Sequence, residues 1–439
     1  MRDILLPNVV ILGTGGTIAG KGDSSMNTAV YKAGAMDVND LVKGTPEVLT
    51  VANCVAKSVL QKPSENMKVK DWITLATKAQ EYLDQDDVDG IVVTHGTDTL
   101  EESSFFCHLV LHSDKPVVFT GAMRPATALS ADGGLNLLNA VIAAGSKETR
   151  GLGSLVVMNE ELYSARDVTK INTFKVNSFG SADVGPLGFI QEGYIYLYHL
   201  PYRKHSLQCE FDLKVFEKTV PKVDILYVYP SLDLDILTYY LKHNDGLIIA
   251  ASGNGSISDD ILPILEQHKD KCVIVRGSRC ASGIVTPNPA SDRHLRLVSS
   301  GNLSPQKARV LLMMALTITN DPERVQNIFN MYWLCLLILS NHSLARQSSS
   351  RFFFSETFFL QLSLDSEIGH FSCFEQLFLP DSSSAVRFPN LSVLCFLQVV
   401  FFPMMVKLWM ISLMFSSVTV FTYRSNLQPR TIMHHTRRM

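Results

Sequence analysis

The sequence predicts an α/β fold of two α/β domains, a larger N-terminal domain on a parallel-type sheet and a smaller C-terminal one. Three observations predict it. Short β-branched runs alternate with helical patterns through most of the chain, those runs are apolar without interruption, and one segment, 194–221, breaks the alternation. Continuously apolar strands separated by amphipathic helices need cover on both faces, which is the pattern of a parallel sheet.

The strand candidates, in order, are 9–12, 91–94, 117–120, 155–158, 225–229, 247–250 and 273–275. Between them, segment 71–83 places Trp72, Leu75, Ala76, Ala79, Tyr82 and Leu83 at helical spacing. Two late helix starts are marked by a capping residue before a proline, Ser304-Pro305 and Asp321-Pro322. The segment from Tyr194 to Pro221 contains Pro201 and the basic Arg203-Lys204-His205, with few strand-length apolar runs. It reads as a linker, giving a first domain over 1–195, a linker over 196–220 and a second domain over 221–332.

Beyond Tyr332 the character changes. Segment 333–439 is rich in Ser, Phe and Leu, and no Asp or Glu follows Asp381. Its stretch 391–423 has the apolarity of a membrane span, interrupted by Pro403 and Lys407. A membrane anchor, a hydrophobic extension and translated non-coding sequence are the three readings. The lack of helical periodicity and of turn punctuation favours the third.

Composition narrows the function. The 439 residues are ample for two domains, and a net charge of −3 gives no reason to expect a nucleic-acid partner. The eight cysteines are scattered, with no CxxC pair, which argues against a zinc site and a disulfide scaffold. The N-terminus shows no secretory apolar region ahead of the first strand, so the expected compartment is the cytosol; a leader missing from the sequence would make it secreted or periplasmic.

The chemistry is concentrated at two strand ends. Ile11-Leu12-Gly13-Thr14-Gly15-Gly16-Thr17 and Ile91-Val92-Val93-Thr94-His95-Gly96-Thr97-Asp98 each run from apolar residues into glycine and then a threonine. That pattern exposes a hydroxyl at the carboxyl end of a buried strand, where open α/β sheets place their ligands. Two such threonines, one beside a carboxylate, suggest nucleophilic chemistry by a hydroxyl. For the first run, a glycine-rich turn that binds phosphate or serves only structure is the other reading. A dinucleotide fingerprint fits poorly, since Ile18 stands where its third glycine belongs. The small polar segment from Gly20 to Thr28 reads as a mobile loop over the site.

These two runs resemble the two signatures of the bacterial-type L-asparaginase and glutaminase-asparaginase family, and the resemblance extends from about Val9 to Tyr332. It implies L-asparagine as substrate, some L-glutamine turnover, and neither metal nor organic cofactor. By the same resemblance Thr17 is the nucleophile and Tyr31 assists it. Thr97, Asp98 and Lys170, the last in Arg166-Asp167-Val168-Thr169-Lys170, form a second triad. A base must be neutral to accept a proton, and Asp98 favours the charged ammonium, so Lys170 is either a base or a group that orients Thr97. Ser64 and Glu65, in Ser64-Glu65-Asn66-Met67, match residues that bind the α-carboxylate and the α-ammonium, and Asp98 shares the ammonium. Ala122, in Gly121-Ala122-Met123-Arg124-Pro125, matches an alanine whose backbone lines the amide pocket. Asn254 matches a residue that reaches a neighbouring subunit, which implies a homotetramer, a dimer of intimate dimers. One departure is Ala290, with Asp292 nearby, where many members carry a second-subunit glutamate.

Two rivals share these motifs. The amidase subunit of a tRNA-dependent amidotransferase normally has an N-terminal extension, for which Thr17 lies too near Met1. A catalytically degenerate amino-acid-binding relative is the other, suggested by Ala290 and the tail.

Overall fold

The computed structural model describes residues 6–26, 28, 31–217 and 219–333, so the tail that begins after Trp333, with its apolar stretch 391–423, lies outside the described residues. The first part of the chain contains β1 (Asn8–Gly15), α1 (Val38–Gly44), α2 (Val48–Val51), β2 (Asn53–Lys62) and α3 (Val69–Leu83). Next come β3 (Gly90–Thr94), α4 (Leu100–Val110), β4 (Val117–Thr120), α5 (Gly133–Gly145) and β5 (Ser154–Met158). Five short strands follow: β6 (Glu161–Ser164), β7 (Thr169–Lys170), β8 (Phe179–Gly180), β9 (Gly188–Gln191) and β10 (Tyr194–Leu197). The remainder is β11 (Val223–Tyr227), α6 (Leu234–His243), β12 (Gly246–Ala251), α7 (Leu262–His268), β13 (Val273–Ser278), α8 (Pro289–Leu295), β14 (Val298–Ser299), α9 (Pro305–Ala315) and α10 (Pro322–Trp333).

The larger sheet has eight strands in the order β10-β9-β6-β5-β4-β3-β1-β2, and the smaller has four in the order β11-β12-β13-β14. From β2 to β5 the larger sheet is parallel, and β6, β9 and β10 extend it antiparallel. The smaller sheet is parallel throughout. The chain leaves β1 towards one edge, to β2, and then returns to the other side as β3. The order therefore reverses between β1 and β3, and such a switch point opens a crevice at the carboxyl ends of the two strands.

The seven expected strands all form; six are buried on both faces, and the seventh, β11, is an edge strand with Tyr227 exposed. Ile11, Leu12, Ile91, Val92, Val93, Val118 and Phe119 are fully enclosed, each worth about 1.5–3 kcal/mol of transfer free energy. Two of the strands that the pattern did not indicate are half-exposed edges. β2 is an edge strand whose Asn53, Lys57, Ser58 and Gln61 face solvent. Tyr196 and Leu197, assigned to the linker by composition, pair with Phe189 and Gly188 as an edge strand. Their strand is outlined by exposed tyrosines, and an edge needs only one covered face.

Helix α4 lies between the larger sheet and α9, which packs on the smaller sheet. Leu100, Phe105, Phe106, Leu109 and Val110 are consequently all buried, and so are the polar Glu101, Ser103, Ser104 and His108 of the same helix. Both proline-marked helix starts form. Ser304 Oγ accepts from Lys307 N at 3.4 Å, and Asp321 Oδ2 from Arg324 N at 3.2 Å. Trp333, which composition placed at the head of the tail, belongs to α10 and is buried. Its indole lies against Gly301, whose φ of +63° and lack of a side chain both allow the approach; a Cβ there would fall 2.2 Å from the ring.

Candidate active site at the β1–β3 crevice

Gly16 and Gly96 set the geometry. Gly16 has φ +80°, and a Cβ on it would lie 2.3 Å from the Cα of Gly96. Only glycine permits both that conformation and that approach. The turns that follow β1 and β3 are thereby packed backbone to backbone, and each presents a threonine at the next position. Thr14 Oγ1 donates to Thr94 O at 2.9 Å just beneath, joining the two strand ends.

Thr17 opens a single 3-10 turn, Thr17–Ala19, and is nearly enclosed. Its hydroxyl is 2.7 Å from the Tyr31 hydroxyl, and either can donate. Residues 20–26 of the loop between them are tied to the chain on either side. Lys21 and Lys32 exchange backbone hydrogen bonds at 3.1 and 3.0 Å, and Gly22 N donates to Thr127 Oγ1 at 2.9 Å. Leu129 N donates to Ser25 O at 2.8 Å, so the loop docks on the segment that follows β4.

Thr97, Asp98 and Lys170 meet. Lys170 Nζ donates to Thr97 Oγ1 at 2.9 Å and to Asp98 Oδ1 at 2.6 Å. Lys170 and Thr97 are largely buried, whereas the Asp98 side chain is 61% exposed, so the ion pair has one face open to a ligand. Ser64 arrives from the segment after β2 and is buried. Its Oγ accepts from Asp98 N at 3.2 Å and its carbonyl from Thr99 Oγ1 at 2.9 Å. Glu65, the next residue, is exposed. Ala122 is fully buried after β4. Its loop is held by Asp132, whose carboxylate accepts from Met123 N and Arg124 N, both at 2.9 Å, while Asn136 Nδ2 donates to Gly121 O at 3.0 Å.

Asn254 is separate from this group. It sits after β12 in the second sheet, where it exchanges hydrogen bonds with Thr286 at 2.7 and 2.8 Å. Ala290 is exposed on α8. Asp292 cannot stand in for the family glutamate, since it makes a two-pronged pair with the buried Arg276 at 3.0 and 2.7 Å and also accepts from Asn288 N. Arg276 in turn donates to Asn254 O at 2.9 Å, so this ion pair shapes the loop rather than binding a ligand.

Several supporting residues have no signature in the sequence. Glu101, buried on α4, accepts from Lys170 N at 3.0 Å. Asp132 and Asn136 act on backbone groups, and no spacing rule finds such contacts. His95 is enclosed, with Nδ1 on its neighbour's carbonyl Gly96 O, and burial pushes its pKa down to about 4, so it is neutral near pH 7. Among the described residues, no group of three His, Cys, Asp or Glu side chains is placed to hold a metal ion.

The chain matches known proteins over both domains. Residues 8–203 fit the family described as "Asparaginase, N-terminal" and residues 222–329 the "Glutaminase/Asparaginase C-terminal domain". The chain is 44% identical to a glutaminase-asparaginase of Pseudomonas fluorescens, over 74% of this chain and 90% of the relative. It is 43% identical to L-asparaginase 2 of Escherichia coli, over 75% of this chain and 94% of the relative. The solved structure of a probable cytoplasmic L-asparaginase from Campylobacter jejuni is 40% identical, with a TM-score of 0.72, over 74% of this chain and all of that one. With both domains matched in order and relatives spanned nearly end to end, the chain belongs to the asparaginase family.

Proposed function

We propose that the chain hydrolyses L-asparagine to L-aspartate and ammonia through an acyl group carried on Thr17. One observation carries the mechanism: two threonine hydroxyls follow two glycines in contact across the crevice, one paired with Tyr31 and the other with Lys170 and Asp98. In the first half-reaction the Thr17 oxygen bonds to the side-chain carbonyl carbon, its proton passes by way of Tyr31, the C–N bond breaks and ammonia leaves with that proton. In the second, water attacks the ester, the threonyl oxygen regains a proton and aspartate departs. Lys170, with Nζ 2.9 Å from Thr97 Oγ1 and 2.6 Å from Asp98 Oδ1, serves Thr97 as a base or as the group that orients it. Ser64, Glu65 and Asp98 take the charged end of the amino acid, and the backbone at Ala122 takes the amide.

The same proposal extends to assembly and organisation. Asn254 completes a neighbouring subunit's site in a homotetramer, an idea supported by exposed Tyr227 on β11, Tyr229 just after it, and Ile236 and Tyr239 on α6, apolar area that a partner would cover. The two catalytic domains divide at 196–220. A cytosolic site of action is supported by the described cysteines, all of which are free. Among the described residues no helix is long and apolar enough to cross a membrane. L-Glutamine is a secondary substrate. Ammonia release from the purified protein tests the reading. Release from free L-asparagine without any partner supports it; no release, or release only with an added partner protein, returns the chain to the binding or amidotransferase alternatives.

A further inference from the structure

Lys307 is a buried lysine that the proposed reaction does not use. It lies on α9, is 3% exposed, and points its ammonium across to the first domain. There Nζ donates to the carbonyls of Ala165, at 2.8 Å, and Arg166, at 2.9 Å, and to that of Val168. It also lies 5.7 Å from the centre of the Phe105 ring on α4. An enclosed ammonium is costly unless its donors are met, and here all three can be. Burial pushes its pKa down to about 8, against the pull of Glu101 and Asp167.

The three carbonyls belong to the turn between β6 and β7. The turn also closes on Ser164 O, which accepts from Asp167 N and Val168 N at 3.0 and 3.1 Å. Two residues after Val168 comes Lys170, with its backbone N–H on Glu101 and its Nζ on Thr97 and Asp98. β7 is two residues long and, among the described residues, pairs only with the equally short β8. A ladder so small does little to fix the direction of a side chain. The carbonyl clamp supplies what the strand does not. Arg166 reinforces it from the same turn, reaching Tyr332 O at 2.8 Å and Asn302 Oδ1 at 2.6 Å in the second domain.

We infer that Lys307 is a positioning residue for the hydrolysis: from the second domain it fixes the turn that presents Lys170 to Thr97. The inference rests on the reading of Thr97, Asp98 and Lys170 as part of the catalytic machinery. It makes chemistry in the first domain depend on how α9 is docked.

A double-mutant cycle tests it on the full chain. Lys307→Met is expected to lower kcat for L-asparagine by about ten- to a hundredfold, the scale of a misplaced group, with KM within about twofold. In a Lys170→Met background the same change should cost less than about twofold, because nothing is left for it to position. Lys307→Arg keeps charge and donors and should recover most of the lost turnover. An unchanged kcat in folded Lys307→Met, or a full additional loss in the Lys170→Met background, would overturn the inference. So would two insoluble variants, which would make Lys307 a stability residue. A fully active Lys170→Met is a different failure, that of the triad reading itself.

Discussion

Lys170 Nζ donates to the Thr97 hydroxyl at 2.9 Å, although the two residues are far apart in the chain, one on β7 and the other in the turn after β3. Thr97 has a fixed position because its turn is pressed against Gly16. Lys170 has one only because its main chain is tied to Glu101 and its turn to Lys307. The hydroxyl and the amine are thus aligned by contacts that reach into both sheets.

Removing either member of that pair should disable the enzyme without unfolding it. Thr97→Val and Lys170→Met are each expected to lower turnover at least about a hundredfold, the lower range for general acid–base groups. Thr97 sits in the turn after β3 and Lys170 on the short β7, both outside the hydrophobic core clusters, so thermal unfolding should remain cooperative. Ammonia release and calorimetry check the two halves, and full activity in both variants would remove the second triad from the mechanism.

Glu65 is expected to set substrate breadth. It is exposed beside the buried Ser64, so it can turn towards the α-ammonium without disturbing the fold. A carboxylate attracts that ammonium by charge and tolerates the displaced backbone of a longer substrate better than an amide does. Glu65→Gln is expected to lower the ratio of kcat/KM for glutamine to that for asparagine. An equal or higher ratio counts against the assignment.

Acid should weaken the fold through its buried imidazoles. Burial pushes the pKa of His95 down to about 4 and that of His108 to about 3. An unfolded histidine titrates near 6.5. The unfolded chain therefore binds more protons below about 6.5, and stability, full above that pH, is lost as the pH falls towards the folded values. Each group contributes a slope of about 1.4 kcal/mol per pH unit, or about 2 kcal/mol between pH 6.5 and 5. Urea titrations at pH 7 and pH 5 should show the loss, and His108→Gln should reduce it by about 2 kcal/mol. An undiminished loss in that variant would show that His108 is not part of the cause.

The parts legible in the sequence are those where one physical demand dominates. Ile91, Val92 and Val93 must avoid water on both faces, so β3 announces itself. Gly16 and Gly96 must touch, so the glycines before Thr17 and Thr97 are equally plain. β2 and β10 were hidden because an edge strand satisfies its ladder on one side and exposes polar or aromatic residues on the other. Glu101 and Lys307 were hidden for a different reason. They act on backbone N–H and C=O groups, which every residue possesses, so no side-chain spacing betrays the contact. The pairing of Asp292 with Arg276 likewise depends on the approach of α8 to β13, which local sequence does not encode.

The second domain should end at Trp333 rather than Tyr332. Trp333 closes over Gly301, and its carbonyl accepts from Arg203 Nε at 3.4 Å. A shortened chain that retains Trp333 is expected to be soluble and active. Trp333→Ala in that chain should cost about 3–5 kcal/mol, as for other large aromatic truncations in a core. Precipitation of the chain ending at Trp333 would mean that residues beyond it complete the fold.

The most direct test is ammonia release from L-asparagine by the wild-type protein and by Thr17→Ala, measured on the same day with matched protein concentrations. The wild type should turn over steadily. Thr17→Ala, lacking the hydroxyl that bonds to the substrate carbon, should fall at least about a hundredfold while keeping the wild-type unfolding temperature. Near-normal release from Thr17→Ala would contradict the acyl-enzyme on Thr17, and with it the account of how this crevice works.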